Sequence, residues 1–139
     1  MTRHLAPALA ALLLTASAAA AEPQAPVEVR AVLAAYNDVL AADPRLARAR
    51  ALVSEGSPEA VTALDAYVRD HPDSGEAWYL LGVVQARLKN DAAAARDFTR
   101  AVQLKPALRI LLEEAKRRGV APAVTVSQEL NRRNAPARP

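Results

Sequence analysis

Few side chains in this sequence have the type and spacing that chemistry requires, and each has a structural role that fits it better. His71 is the one histidine beyond the first few residues, and it stands in a polar stretch before Pro72. A metal centre takes three or four ligands, and no such set surrounds His71, so no metal is expected. Glu113 and Glu114 are adjacent carboxylates. On a helix, neighbours point about 100° apart instead of at one substrate, and pairing with Arg117 and Arg118 one turn on is the expected arrangement. The Lys116-Arg117-Arg118 cluster could grip an anion, yet positive charge in a helix's last turn also complements the helix dipole. Arg45, Arg48 and Arg50, and Arg132, Arg133 and Arg138, pose the same choice, and charge runs are usually solvated faces. With no Gly-rich phosphate loop, serine-nucleophile motif or working carboxylate pair, no catalytic residue, cofactor or enzyme activity is expected.

Length and composition bound what can hold such residues. Of 139 residues, Met1 to Ala21 read as a secretory signal: Arg3 and His4, the apolar run Leu5 to Leu14, then Ala19-Ala20-Ala21 before Glu22. Cleavage near Ala21 leaves one small helical domain over 22–133 and a disordered tail over 134–139. The expected location is periplasmic or secreted, with no stable membrane span after cleavage; retention of the segment as an anchor is the alternative. Without cysteine there is no disulfide, thiol chemistry or lipid-modified cysteine, so helix packing must supply the stability. Export and a mild positive charge, +3 for the whole chain, argue against nucleic acid as a partner.

The pattern along the chain is helical throughout. Pro26 suits the first turn of a helix to about Ala42, with Val29, Val32, Leu33, Tyr36 and Leu40 on one face. Asp43-Pro44 is a start signal for a helix to Ser54, and another follows from Pro58 to about Asp70. Two more span about Ser74 to Lys89 and Asp91 to Lys105. A helix over Ala107 to Arg118 places Leu108, Leu111, Leu112 and Ala115 inward, with Glu113, Glu114 and the basic cluster mainly outward. Gly119 fits its C-terminal cap. Thr125 with Gln128 could box the start of a short helix through Arg133.

The stretch Trp78 to Pro106 is the most specific. Trp78, Leu81 and Gly82 lie on one helical stripe, and Ala94, Phe98 and Ala101 on the next. Gly82 and Ala94 permit close approach of two helices while Trp78 and Phe98 fill the space beside it, which offsets the cost of about 1 kcal/mol for a mid-helix Gly. Pro106 ends the second helix. These seven positions resemble the tetratricopeptide repeat, whose pattern is W-x-x-L-G, then A, F, A and a closing P over about 34 residues. Gln85 departs from it, standing where the family usually has Tyr. Pro72 precedes Pro106 by the same period, pairing Ala60 with Ala94 and Leu64 with Phe98. The first helix of that earlier repeat has two readings. Either Pro44 to Ser54 supplies it in the same register, or Tyr36, Leu40 and Pro44 end another repeat.

The resemblance implies an all-α fold of antiparallel helix-turn-helix repeats, closed by the Ala107–Arg118 helix. It also implies a concave groove lined by the first helix of each repeat, receiving a peptide or helix. Carried over by motif, the groove residues are Glu76, Tyr79, Val83, Ala86 and Arg87, with Arg45, Ala49 and Leu52 beside them. Tyr79 and Val83 stand where a carboxylate clamp would need a cation and an amide, so such a clamp is not expected. The expected function is an exported adaptor binding another protein of the cell envelope. The alternatives are a self-associating structural module such as a homodimer, because about three repeats are needed for stability, and an accessory subunit of an envelope enzyme or assembly complex.

Overall fold

A computed structural model describes residues 26–136, which form seven α-helices and one short 3-10 turn, with no strand among them. The expected signal over Met1 to Ala21 lies outside the described residues. Helix α1, Val27–Ala42, buries Val29, Leu33, Tyr36, Asn37 and Leu40 at three-and-four spacing. It stops at Asp43, whose backbone is extended and whose carboxylate accepts the Arg45 N–H at 2.8 Å, capping α2, Pro44–Ser54. Pro44 occupies the first turn of α2, where its missing N–H leaves no bond unmade. Gly56, at φ 71°, makes the left-handed turn into α3, Glu59–Asp70.

Ser74 accepts the Ala77 N–H at 3.3 Å to start α4, Gly75–Arg87, in which ten of thirteen residues are buried. Helix α5, Asp91–Leu104, turns Ala94, Phe98, Ala101 and Val102 inward. A 3-10 turn, Pro106–Leu108, leads into α6, Arg109–Arg117, and Gly119 at φ 82° turns the chain into α7, Ala121–Asn134. The helices pair as hairpins α2–α3, α4–α5 and α6–α7, the central one packed most extensively. Helix α3 leans on α4, and α5 leans on the 3-10 turn and α7. Helix α1 has no hairpin partner; it lies across the first helices of all three hairpins, touching α2, α4 and α6.

That placement decides the register. A second helix of an earlier repeat would stack outside α2, and contact with α4 and α6 shows that α1 does not; Pro44–Ser54 is the first helix of the first hairpin. The C-terminal end differs from expectation too. Helix α7 starts at Ala121 instead of Thr125, because Pro122 fits the first helical turn. Thr125 Oγ donates back to the Ala121 carbonyl at 3.3 Å, so it does not box the helix start. Asn134, expected to begin the tail, is the last residue of α7, and only Ala135 and Pro136 follow it among the described residues. Helix α6 is therefore the first arm of a third hairpin.

Candidate functional site: the face of the first helices

Tyr79, Val83 and Ala86 occupy one stripe of α4, and all three are buried. What lies over Tyr79 is α1. The rings of Tyr36 on α1 and Tyr79 on α4 meet edge to face, centroids 5.4 Å apart, and Tyr79 continues onto Phe98 of α5 at 5.1 Å. An aromatic chain thus runs from α1 through α4 into the central hairpin, with geometry that suits ring quadrupoles. Of the groove residues expected from the repeat pattern, Tyr79 thus lies beneath the chain's own first helix, and Val83 and Ala86 continue its buried stripe.

The remaining expected residues have internal partners. Glu76 is buried and ion-paired with Lys105 at the end of α5. Arg87 donates to the Val53 carbonyl at 2.6 Å, tying the end of α4 to the end of α2. Ala49 is buried in α2, and Leu52 is half-buried against the core. Arg45 pairs with Asp70 at 3.0 Å and lies over the Tyr67 ring at 5.1 Å. Tyr67 donates to Asp43 at 2.8 Å; burial first, and then this bond, push its hydroxyl up to about 12. The same bond is the main cause holding the Asp43 carboxyl below its ordinary range. Corner residues of α1, α2 and α3 are thereby locked together.

The packing residues behave as the pattern requires, with one difference. Leu81, Gly82, Ala94, Phe98 and Ala101 are buried. A Cβ placed on Gly82 would lie 2.7 Å from the Phe98 ring, so that ring is why the position carries no side chain. Trp78 is only half-buried, its Nε1 donating to the Pro72 carbonyl at 3.0 Å, so it seals the hairpin's edge instead of its centre. His71 is exposed and lies against the Tyr67 ring at 4.5 Å.

Glu114, expected to face outward, is buried; it binds Arg117 and, at 3.3 Å, Arg118. Glu113 turns to α7 instead of Arg117: Ser127 donates to it at 2.6 Å, and Lys116 lies 3.5 Å away. The Ser127 bond is the leading reason its carboxyl sits below the ordinary range.

The site differs from a generic repeat face in its polar atoms. Burial raises the Tyr36 and Tyr79 hydroxyls well above the ordinary phenol range. Neither hydroxyl has a hydrogen-bond partner among the described residues, and both amide atoms of the buried Asn37 lack one. Sequence reasoning placed α1 as one more amphipathic helix and left Tyr36 and Asn37 out of the site. The available signal was that α1 has an apolar stripe and no hairpin partner, so something must cover that stripe.

Residues 46–108 match the family model for the tetratricopeptide repeat, a span running from α2 to the 3-10 turn. Over that span the chain carries tetratricopeptide repeats. The matched span is a little under half of the sequence; α1 and most of the third hairpin lie outside it. Comparison with curated proteins and with solved structures finds no match. The tetratricopeptide repeat is a protein-binding architecture, and that is the functional content the family supplies. Among the described residues no helix is long and apolar enough to cross a membrane.

Proposed function

We propose that this chain is a small exported adaptor without catalytic activity, holding another protein of the cell envelope, and that the partner binds its outer surface because α1 fills the first-helix face. The leader pattern over Met1 to Ala21 supports export, and the repeat family supports protein binding. The observation that carries the binding mode is the Tyr36–Tyr79 contact beneath α1. Displacing α1 would expose Val29, Leu33, Tyr36 and Leu40, at about 1.5–3 kcal/mol each, a sum comparable to the whole stability of a small domain. Packing of α1, α6 and α7 onto the two repeat hairpins within one chain supports this reading over the self-association that two repeats alone would call for.

The orphan polar atoms favour a second reading, in which a partner's helix exchanges with α1. Returning Tyr36 and Asn37 of α1 to water recovers about 1–3 kcal/mol per side chain, which offsets part of the apolar loss, and a partner's helix with a polar group opposite Tyr79 would satisfy its hydroxyl. Capture of a partner by crosslinking in the native envelope, followed by hydrogen exchange on the purified complex, separates the two. Docking on the outer surface leaves the α1 amides as protected as in the free chain. Exchange makes them fast and overturns the outer-surface reading. An intact mass beginning at residue 22 in the exported fraction is the expected result for the leader; recovery of the full-length chain from the cytoplasm alone contradicts export.

A further inference from the structure

Helices α5 and α7 leave an open groove of about 360 Å³ on the side of the molecule away from α1. Small side chains line it: Ala95 and Thr99 from α5, the Thr99 hydroxyl donating to the Ala95 carbonyl at 2.8 Å, and Val126 from α7. Arg96 and Arg100 form one wall, a single turn apart, and Arg133 stands on the other. The one acid in the groove, Glu129, is held by Arg133 at 3.0 Å and Arg132 at 3.3 Å, so its charge is already matched. Arg96 and Arg100 are exposed and make no hydrogen bond or ion pair among the described residues; Arg96 acts only at longer range, on Asp97 of its own helix.

We propose that this groove docks an acidic segment of the adaptor's protein partner, with carboxylates paired to Arg96 and Arg100 and small apolar side chains against Ala95, Thr99 and Val126. Guanidinium groups one helical turn apart have Cβ atoms about 5–6 Å apart. Carboxylates at alternate positions of an extended strand are spaced about 6.6 Å, close enough for long side chains to meet in forked pairs. An Arg with no internal partner forms such a pair without first breaking one. The chain itself offers no such segment: outside the described residues the sequence holds a single acid, Glu22. The proposal rests on the adaptor reading and specifies the surface and the charge of what it binds.

The test is fluorescence anisotropy with a labelled synthetic peptide of alternating Glu and Ala or Leu, titrated with the full chain at low and moderate salt. Wild type is expected to bind saturably. An Arg96→Glu, Arg100→Glu variant should bind at least ten-fold more weakly. An Arg48→Glu, Arg69→Glu variant, reversing two exposed arginines on the first hairpin, should bind as wild type does. Circular dichroism checks that both variants remain folded. Equal weakening by both variants, or no binding by wild type, overturns the proposal. So does Arg96- and Arg100-dependent binding of anionic phospholipid vesicles or of DNA without binding of the peptide. If a crosslinked envelope partner is captured equally by wild type and by the Arg96→Glu, Arg100→Glu variant, the groove proposal falls while the adaptor reading stands.

Discussion

The central hairpin and the α1 face are both buried and both apolar, yet they are specified differently. In α4–α5 the fit is one of shape: Phe98 occupies the space that a side chain at residue 82 would need, and Ala94 and Ala101 flank it at full burial. Where α1 crosses that hairpin, the apolar stripe is equally well covered, but Tyr36, Asn37 and Tyr79 contribute buried polar atoms without partners. Apolar burial is non-directional and fixes only that a stripe is covered, whereas interlocking shape fixes which residue covers it. The hairpin is therefore the part of the fold that tolerates least change, and the α1 face is the part that improvement can reach.

The largest expected effect is in the hairpin. Phe98→Ala removes a fully buried aromatic and its contact with Tyr79, and should destabilise by about 3–5 kcal/mol in urea denaturation followed by circular dichroism. A loss below about 1 kcal/mol would mean that the hairpin is not shape-locked. Gly82→Ala comes next. Overpacking against the Phe98 ring, about 1–3 kcal/mol, outweighs a helix-propensity gain of about 1, so a net loss of up to about 2 kcal/mol is expected. A gain in stability would show that the ring yields.

On the α1 face the sign reverses: Tyr36→Phe keeps the ring contact and removes an orphan hydroxyl, and should stabilise by about 1 kcal/mol. Destabilisation of that size by Tyr36→Phe would place a real partner on the hydroxyl. The smallest effect is pH-dependent. Burial and the neighbouring Asp65 push Asp97 on α5 up to about 7, against the opposing pull of Arg96. Between about pH 4 and 7 the folded chain holds a proton there that the unfolded chain releases, so this group makes stability fall as pH rises across that window. Asp97→Asn should flatten that slope and raise the melting temperature at pH 8. An unchanged slope would mean the carboxyl is solvated.

Most of the hairpin was legible because its residues act locally. The Trp78, Leu81, Gly82, Ala94, Phe98, Ala101, Pro106 spacing encodes two helices, their turn and their contact within one continuous segment. The groove residues were legible as a set, since Tyr79, Val83 and Ala86 do share a stripe, but their covering was not. The Val29, Leu33, Tyr36, Leu40 stripe states that α1 has an apolar face and is silent on which distant surface meets it. The start of α7 was read four residues late for a local reason: a proline one residue inside it reads equally well as a loop or as a first helical turn. Glu114 was misjudged because spacing gives its ion pairs with Arg117 and Arg118 but not how far packing buries the carboxylate that makes them.

The seat of α1 on the first-helix face is the point from which the rest follows, and two-dimensional nuclear Overhauser spectroscopy tests it directly. The chain has only three tyrosines, so assigning the ring protons of Tyr36, Tyr67 and Tyr79 is straightforward. With ring centroids 5.4 Å apart, strong cross-peaks between Tyr36 and Tyr79 are expected, together with slow exchange of the α1 amides. No Tyr36–Tyr79 cross-peak, with α1 amides exchanging freely while those of α4 and α5 stay protected, would show that the face is open and return the groove to the partner.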